Sequence, residues 1–260
     1  RPVTLSSART APHAGMPACA SRPAPPPHVW ITPLTGKFGA IVLETAAQSK
    51  ESPPMETKRP PAIRHLAAQD TLPIIKVFYE FNHLKSLFRQ GWLHHGIPRD
   101  QCETVAEHTL GVVLLSLFLA DAHFPRLDRT KVMLLSLLHD FGEIYAGDIV
   151  PGRVSLTEKH QREQASVEQV FARLPRGAEY LALWQEYEAG SSPEARFVKE
   201  IDRLEMGMQA GIYEMETPQD LSLFFESTDK ALTTPELRDI FAALLQLRPS
   251  RTSKKEQANP

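Results

Sequence analysis

The sequence predicts an all-α fold, one helical domain behind an irregular N-terminal leader. Three observations lead there. From Leu72 onward apolar residues recur at helical spacing, beginning with Leu72, Ile75, Phe78, Tyr79, Leu84 and Leu87. Helix-start residues (Asp128 or Thr130, and Thr157 with Glu158) and helix-stop residues (Gly147, Pro175) fall where that spacing begins and ends. No stretch alternates apolar and polar side chains as a strand would, and no segment repeats.

Taken in order, the first predicted helix covers 72–88. Thr104 to about Ala122 forms a second, long and apolar. A third runs from Lys131 to Ala146, with Gly147 where a residue of left-handed conformation closes a helix. The fourth opens at Thr157 and Glu158 and reaches Leu174, where Pro175 ends it. Four more cover 178–189, 193–213, 219–228 and 235–247. Pro193, Pro218 and Pro235 stand near their starts, where a helix needs no N–H. The domain is read as 63–248, with 249–260 as a disordered tail.

Ahead of Ile63 the composition changes. Twelve of the 22 prolines lie there, in stretches such as "SRPAPPPHVW" and "SPPMETKRPP", so residues 1–62 read as a disordered leader. Only "GAIVLETAA" (39–47) has the composition to order locally. Residues 1–43 hold Arg1, Arg9, Arg22 and Lys37 but no acid, a pattern that fits an organelle transit peptide or a low-complexity extension. The cytoplasm is the expected compartment, or a mitochondrion or plastid if the leader is a transit peptide.

A net charge of −2 with no basic cluster outside the tail "RTSKKEQ" argues against a nucleic-acid groove and favours small, diffusible substrates. Two cysteines, Cys19 and Cys102, are too few for a disulfide framework. The longest apolar run, "GVVLLSLFLA" (111–120), is shorter than the roughly 18 residues of a membrane span, so no membrane partner is expected.

Within the greasy helices stand ionisable groups that apolar packing does not explain. Taken singly, His108 in "TVAEHTLGVVLL" reads as a packed histidine, and Asp202 in "EARFVKEIDRLEMGMQAGIYE" as a solvated acid. Asp140, directly after His139, alters that reading. A carboxylate in so apolar a helix costs several kcal/mol unless it is paired or binds a cation. Neighbouring helical side chains point about 100° apart, so His139 and Asp140 converge on an ion between them. His108, His139, Asp140 and Asp202 together form a mixed nitrogen and oxygen set suited to one divalent cation, with no cysteine to suggest a structural zinc knot.

The order His108, His139-Asp140, Asp202 resembles that of the HD superfamily of metal-dependent phosphohydrolases. "HDFGEIYAGDI" (139–149), with "RQGW" (89–92), "EHTL" (107–110), "EKHQREQAS" (158–166) and "ARFVKEID" (195–202), is similar to its 5′-deoxynucleotidase branch, over Leu72 to Leu247. The resemblance implies an all-α HD-domain helical fold, one divalent metal (Mn²⁺, Co²⁺ or Mg²⁺), a nucleoside 5′-monophosphate substrate and a homodimer. It makes Glu143 and Asp148 the catalytic acids. On a continuous helix Glu143 lies one turn beyond His139, and Gly147 lets the chain turn so that Asp148 points back. Arg89 resembles the phosphate-orienting arginine, and Trp92 the tryptophan placed against the sugar's 2′ carbon. Gln90 and Gly91 separate the two here, whereas one form of the pattern has them adjacent. Lys199, one turn before Asp202, is a candidate partner of the metal ligands. The ligand set alone is shared with HD proteins that cleave dNTPs and other nucleotide phosphoesters, and with a metal-bearing scaffold that lacks turnover. Glu143 and Asp148 argue for turnover.

Overall fold

Ten α-helices follow from these patterns in a computed structural model that describes residues 55–66 and 68–248. The readings of 1–54 as leader and of 249–260 as tail fall outside the described residues. The helices are α1 (Pro73–Phe81), α2 (Gln90–His94), α3 (Val105–His123), α4 (Arg129–Leu138), α5 (Glu143–Ala146), α6 (Leu156–Phe171), α7 (Gly177–Ala189), α8 (Pro193–Glu216), α9 (Ser222–Ala231) and α10 (Pro235–Gln246). Among the described residues there is no strand, only two isolated antiparallel bridges, Thr57 with Leu87 and Phe88 with Thr104.

Two predicted helices are interrupted. The stretch 72–88 is helical only to Phe81, then tightens into a 3-10 turn over Asn82–Lys85. Leu87 and Phe88 leave the helix because each pairs with a neighbouring segment. The stretch 131–146 breaks at His139–Gly142, between α4 and α5. Here the backbone bonds run back three residues instead of four, from Phe141 N to Leu138 O (3.1 Å) and from Glu143 N to Asp140 O (3.0 Å). Gly142 permits the break: a Cβ there would lie 2.7 Å from Glu163 Cβ on α6.

The remaining helices start at their caps. Thr104 and Glu107 form a reciprocal capping box at the head of α3. Asp128, Ser155 and Ser192 accept the N–H three residues on and start α4, α6 and α8. The central layer is α8, whose Ala195, Val198, Ile201, Leu204 and Ala210 are wholly buried against Val112 of α3 and Val132 and Leu135 of α4. A second apolar cluster joins Val77, Leu87, Val105, Ile144, Val170, Phe171 and Trp184 beneath α1, α5, α6 and α7. Burying each large apolar side chain contributes about 1.5–3 kcal/mol.

Two expectations need revision. Ordered contacts begin before Ile63, because the Lys58 N–H donates to Ser86 O at 2.7 Å and Thr57 bridges to Leu87. The apolar run at 111–120 is extended by its flanks to the 19 residues of α3, long and apolar enough to cross a membrane by length and composition. Its inner face, which includes His108, Val112 and Ser116, is packed within the domain, while Leu110, Leu114 and Phe118 face outward.

Candidate metal centre and active site

The capping box fixes the first turn of α3 and with it His108, whose ring is fully buried. Its Nδ1 lies 2.6 Å from Glu205 Oε2, an acceptor, so Nδ1 carries the proton and Nε2 faces the opposite way. His139 begins the turn after α4, where its Nδ1 lies 2.8 Å from the Ser136 carbonyl. A carbonyl only accepts, so His139 Nδ1 donates and its Nε2 also presents a lone pair. The two Nε2 atoms are 3.4 Å apart.

Carboxylate oxygens close on the same point. Asp140 Oδ2 is 3.1 Å from His139 Nε2 and 3.7 Å from His108 Nε2, and Asp202 Oδ1 is 3.2 Å from His108 Nε2. Asp140 Oδ2 is buried and accepts no hydrogen bond. His108, His139 and Asp202 offer ligand atoms all within 4.8 Å of one another, and the orphaned Asp140 oxygen stands beside both imidazoles, a grouping that is unfavourable without a shared cation. Two imidazoles with two carboxylates suit a divalent one.

The electrostatics agree. Burial pushes the Asp140 carboxyl up, but the neighbouring His139, Arg89 and His108 outweigh it and hold it well below the usual range. Burial likewise raises Asp202, while its bond to His108 and the charge of Arg203 bring it far down. Both therefore stay ionised, as ligands must. For His108, burial and Arg89 favour the neutral ring, yet Glu205 and Asp202 prevail and raise it well above the ordinary histidine value. The pocket demands positive charge, supplied by a proton or by a metal.

A second ring of charge surrounds Arg89, which lies just before α2. Its Nη1 is 3.6 Å from Asp140 Oδ2, 3.9 Å from Glu143 Oε1 and 3.6 Å from Asp148 Oδ1. One half-buried guanidinium thus faces Asp140 and both candidate acids. Glu143 is buried, and its Oε2 has no hydrogen-bond partner. Burial, then Asp140 and Asp148, push its carboxyl well above the ordinary value. Gly147, at φ +78°, turns the chain so that Asp148 Oδ2 accepts the Gln90 N–H at 2.5 Å.

The structure thus brings His108, His139, Asp140, Asp202, Arg89, Glu143 and Asp148 together. The first of the expected geometries is corrected: His139 and Asp140 converge from a turn between helices, not from adjacent positions on one. Trp92 is the residue not brought to the site surface. It is 1% exposed, packed on Phe224 (centroids 4.1 Å apart) and Tyr213 (5.3 Å), with its N–H donated to Glu103 Oε1 at 2.7 Å. A ring so enclosed has no face to place against a sugar. Lys199 reaches the centre indirectly, its Nζ 4.4 Å above the Tyr187 ring, whose hydroxyl donates to Asp202 Oδ2 at 3.2 Å.

Sequence reasoning missed Glu205, Tyr187, Trp184 and Glu103. Glu205 was findable, because it follows Asp202 by three residues and shares its helix face. Nothing local points to Tyr187, or to Trp184, whose N–H donates to the His139 carbonyl at 3.2 Å. Glu103 accepts the Trp92 N–H. Burial and Glu205 push its carboxyl up to about 7.

The chain resembles known proteins over this same region. The family model described as "HD domain" matches residues 81–242. The human protein named 5′-deoxynucleotidase HDDC2 is 34% identical over 166 residues, 62% of this chain and 79% of that protein. Its namesake from Danio rerio is 38% identical over 166 residues, again 62% of this chain, and 80% of that protein. Among solved structures, the PH0347 protein from Pyrococcus horikoshii OT3 superposes with a TM-score of 0.59 at 30% identity, covering 67% of this chain and 99% of that one. The candidate metal quartet, the residues that support it and these matches coincide along one stretch of chain, and the protein belongs to the HD domain family.

Proposed function

We propose that the protein is a metal-dependent 5′-deoxynucleotidase that releases phosphate from deoxynucleoside 5′-monophosphates. One observation carries this: His108, His139 and Asp202 converge, with Asp140 beside both imidazoles, next to a half-buried arginine and two further acids, in a chain whose relatives bear the name 5′-deoxynucleotidase. His108, His139, Asp140 and Asp202 are the residues that would hold the metal. A divalent cation bound there supplies a Lewis acid for a phosphate oxygen and lowers the pKa of a water.

The chain's own groups do the rest. Arg89 presents a planar fork to the phosphate oxygens, and its present carboxylate partners keep it charged and oriented. Asp148 and Glu143 flank that fork, positioning the attacking water and taking its proton. Burial and the neighbouring Asp140 and Asp148 raise the proton affinity of Glu143, so it holds a proton firmly once it has taken it. Tyr187 and Glu205 hold Asp202 and His108 in place from behind. Mn²⁺, Co²⁺ and Mg²⁺ all suit the donor set.

The active unit is proposed to be a homodimer. Leu110, Leu114 and Phe118 repeat every four residues along α3 and are 59%, 41% and 60% exposed, an apolar stripe that a second copy would cover. Phosphate release measured over the deoxy- and ribonucleoside monophosphates with each metal tests the activity. No release from any of them sinks the proposal. Light scattering of Phe118→Glu tests the dimer, which should become monomeric.

A further inference from the structure

Beside Asp148 lies a cavity of about 360 Å³ whose walls come from distant parts of the chain. Leu93 and His94 of α2, with Val150, Arg153 and Val154 from the loop after Gly147, line it together with Arg162 of α6, and so do Met55 and Glu56. These last two residues precede the span 81–242 that the family model matches. They nevertheless belong to a segment held at each step. The Glu56 N–H donates to Gln90 Oε1 and the Glu56 carbonyl accepts from Gln90 Nε2, both at 2.9 Å. The Glu56 carboxylate pairs with Arg99 at 3.2 Å, and Arg99 also donates to the Thr57 carbonyl at 3.1 Å. Gln90 thus grips the segment with its side chain while its own N–H holds Asp148.

The position of the cavity, beside Asp148, bears on what it would hold. Asp148 lines it and also lies 3.6 Å from Arg89, so a phosphate seated on Arg89 would have this space beside it for its organic part. The volume is at the small end of ligand pockets, and aliphatic and thioether patches alternate with His94, Arg153 and Arg162, a mixed lining that suits a flat ring with polar edges. We propose that the segment Met55–Thr57 is a strap that completes the nucleoside subsite, with Met55 as a specificity-determining wall against the base and sugar. Methionine is apt there, because its flexible, polarisable side chain adapts to bases of different shape. This inference rests on the nucleotidase reading above.

The test uses the full-length, metal-loaded protein carrying Met55→Ala or Met55→Leu. Met55 is 38% exposed, so neither change removes a core residue. KM is measured for 2′-deoxyadenosine 5′-monophosphate and for p-nitrophenyl phosphate, which has no nucleoside, and binding of the nucleotide is measured by calorimetry. Met55→Ala should raise the nucleotide KM relative to that of p-nitrophenyl phosphate by about tenfold, the size expected for a lost apolar contact in a pocket. Met55→Leu should restore most of the ratio. An unchanged ratio, with nucleotide still bound, overturns the strap and leaves the nucleotidase reading standing. If the unaltered protein neither binds nor cleaves any deoxynucleotide, that reading falls and the strap with it.

Discussion

His108 Nε2 and His139 Nε2 face each other across 3.4 Å, each fixed in that orientation by a partner on its Nδ1. Two lone pairs so placed repel unless something positive lies between or beside them, and Asp140 and Asp202 add two more acceptors. Chelation should therefore abolish phosphate release, and excess Mn²⁺ or Co²⁺ should restore it. Asp140→Ala should lose bound metal by elemental analysis. Full activity in excess EDTA would refute the metal assignment.

Glu143 and Asp148 meet through Arg89 and not through the metal ligands, which allows chemistry to be separated from binding. Glu143→Gln and Asp148→Asn should keep near-normal metal content while kcat falls by about 10²–10⁴. Steady-state kinetics with parallel metal analysis makes the distinction. Normal turnover in both variants would leave them as structural acids.

Trp92 should behave as a core residue. Trp92→Ala removes a ring packed on Phe224 and Tyr213 and leaves Glu103 without its donor, so a loss of about 3–5 kcal/mol is expected in denaturant unfolding. Activity should fall alike for deoxy- and ribonucleotides. A stable variant that selectively gains ribonucleotide cleavage would return Trp92 to the sugar.

Glu200 supplies a pH test away from the metal. Burial alone would raise its carboxyl, but bonds from the backbone and hydroxyls of Thr233 and Thr234 outweigh it and set the folded value below the usual one. A depressed folded pKa contributes stability above the unfolded pKa, and that stability is lost as pH falls through the folded value. Glu200→Gln should thus cost about 1 kcal/mol at neutral pH, a figure discounted for partial exposure, and the gap should close below pH 4. Urea unfolding across this range decides it. A gap that is constant with pH would contradict the assignment.

The sequence by itself determined what depends on neighbours within a turn or two. Apolar spacing and caps such as Thr104 with Glu107 specify helices, because their partners lie three or four residues away. The sequence also singled out His108, His139, Asp140 and Asp202 as a candidate set, because ionisable side chains in apolar stretches need partners. Tertiary packing alone decided the rest. Whether the chain stays helical past Leu138 depends on α6, where Glu163 presses on Gly142. Whether Trp92 faces a ligand or the core depends on Phe224 and Tyr213, more than a hundred residues along the chain. The strap at Met55 becomes part of the pocket through Gln90 and Arg99, which no local periodicity connects to it. The physical reason is the same in each case. Local spacing fixes which face a side chain occupies, but which surface that face meets is set only when distant segments close on one another and exclude water.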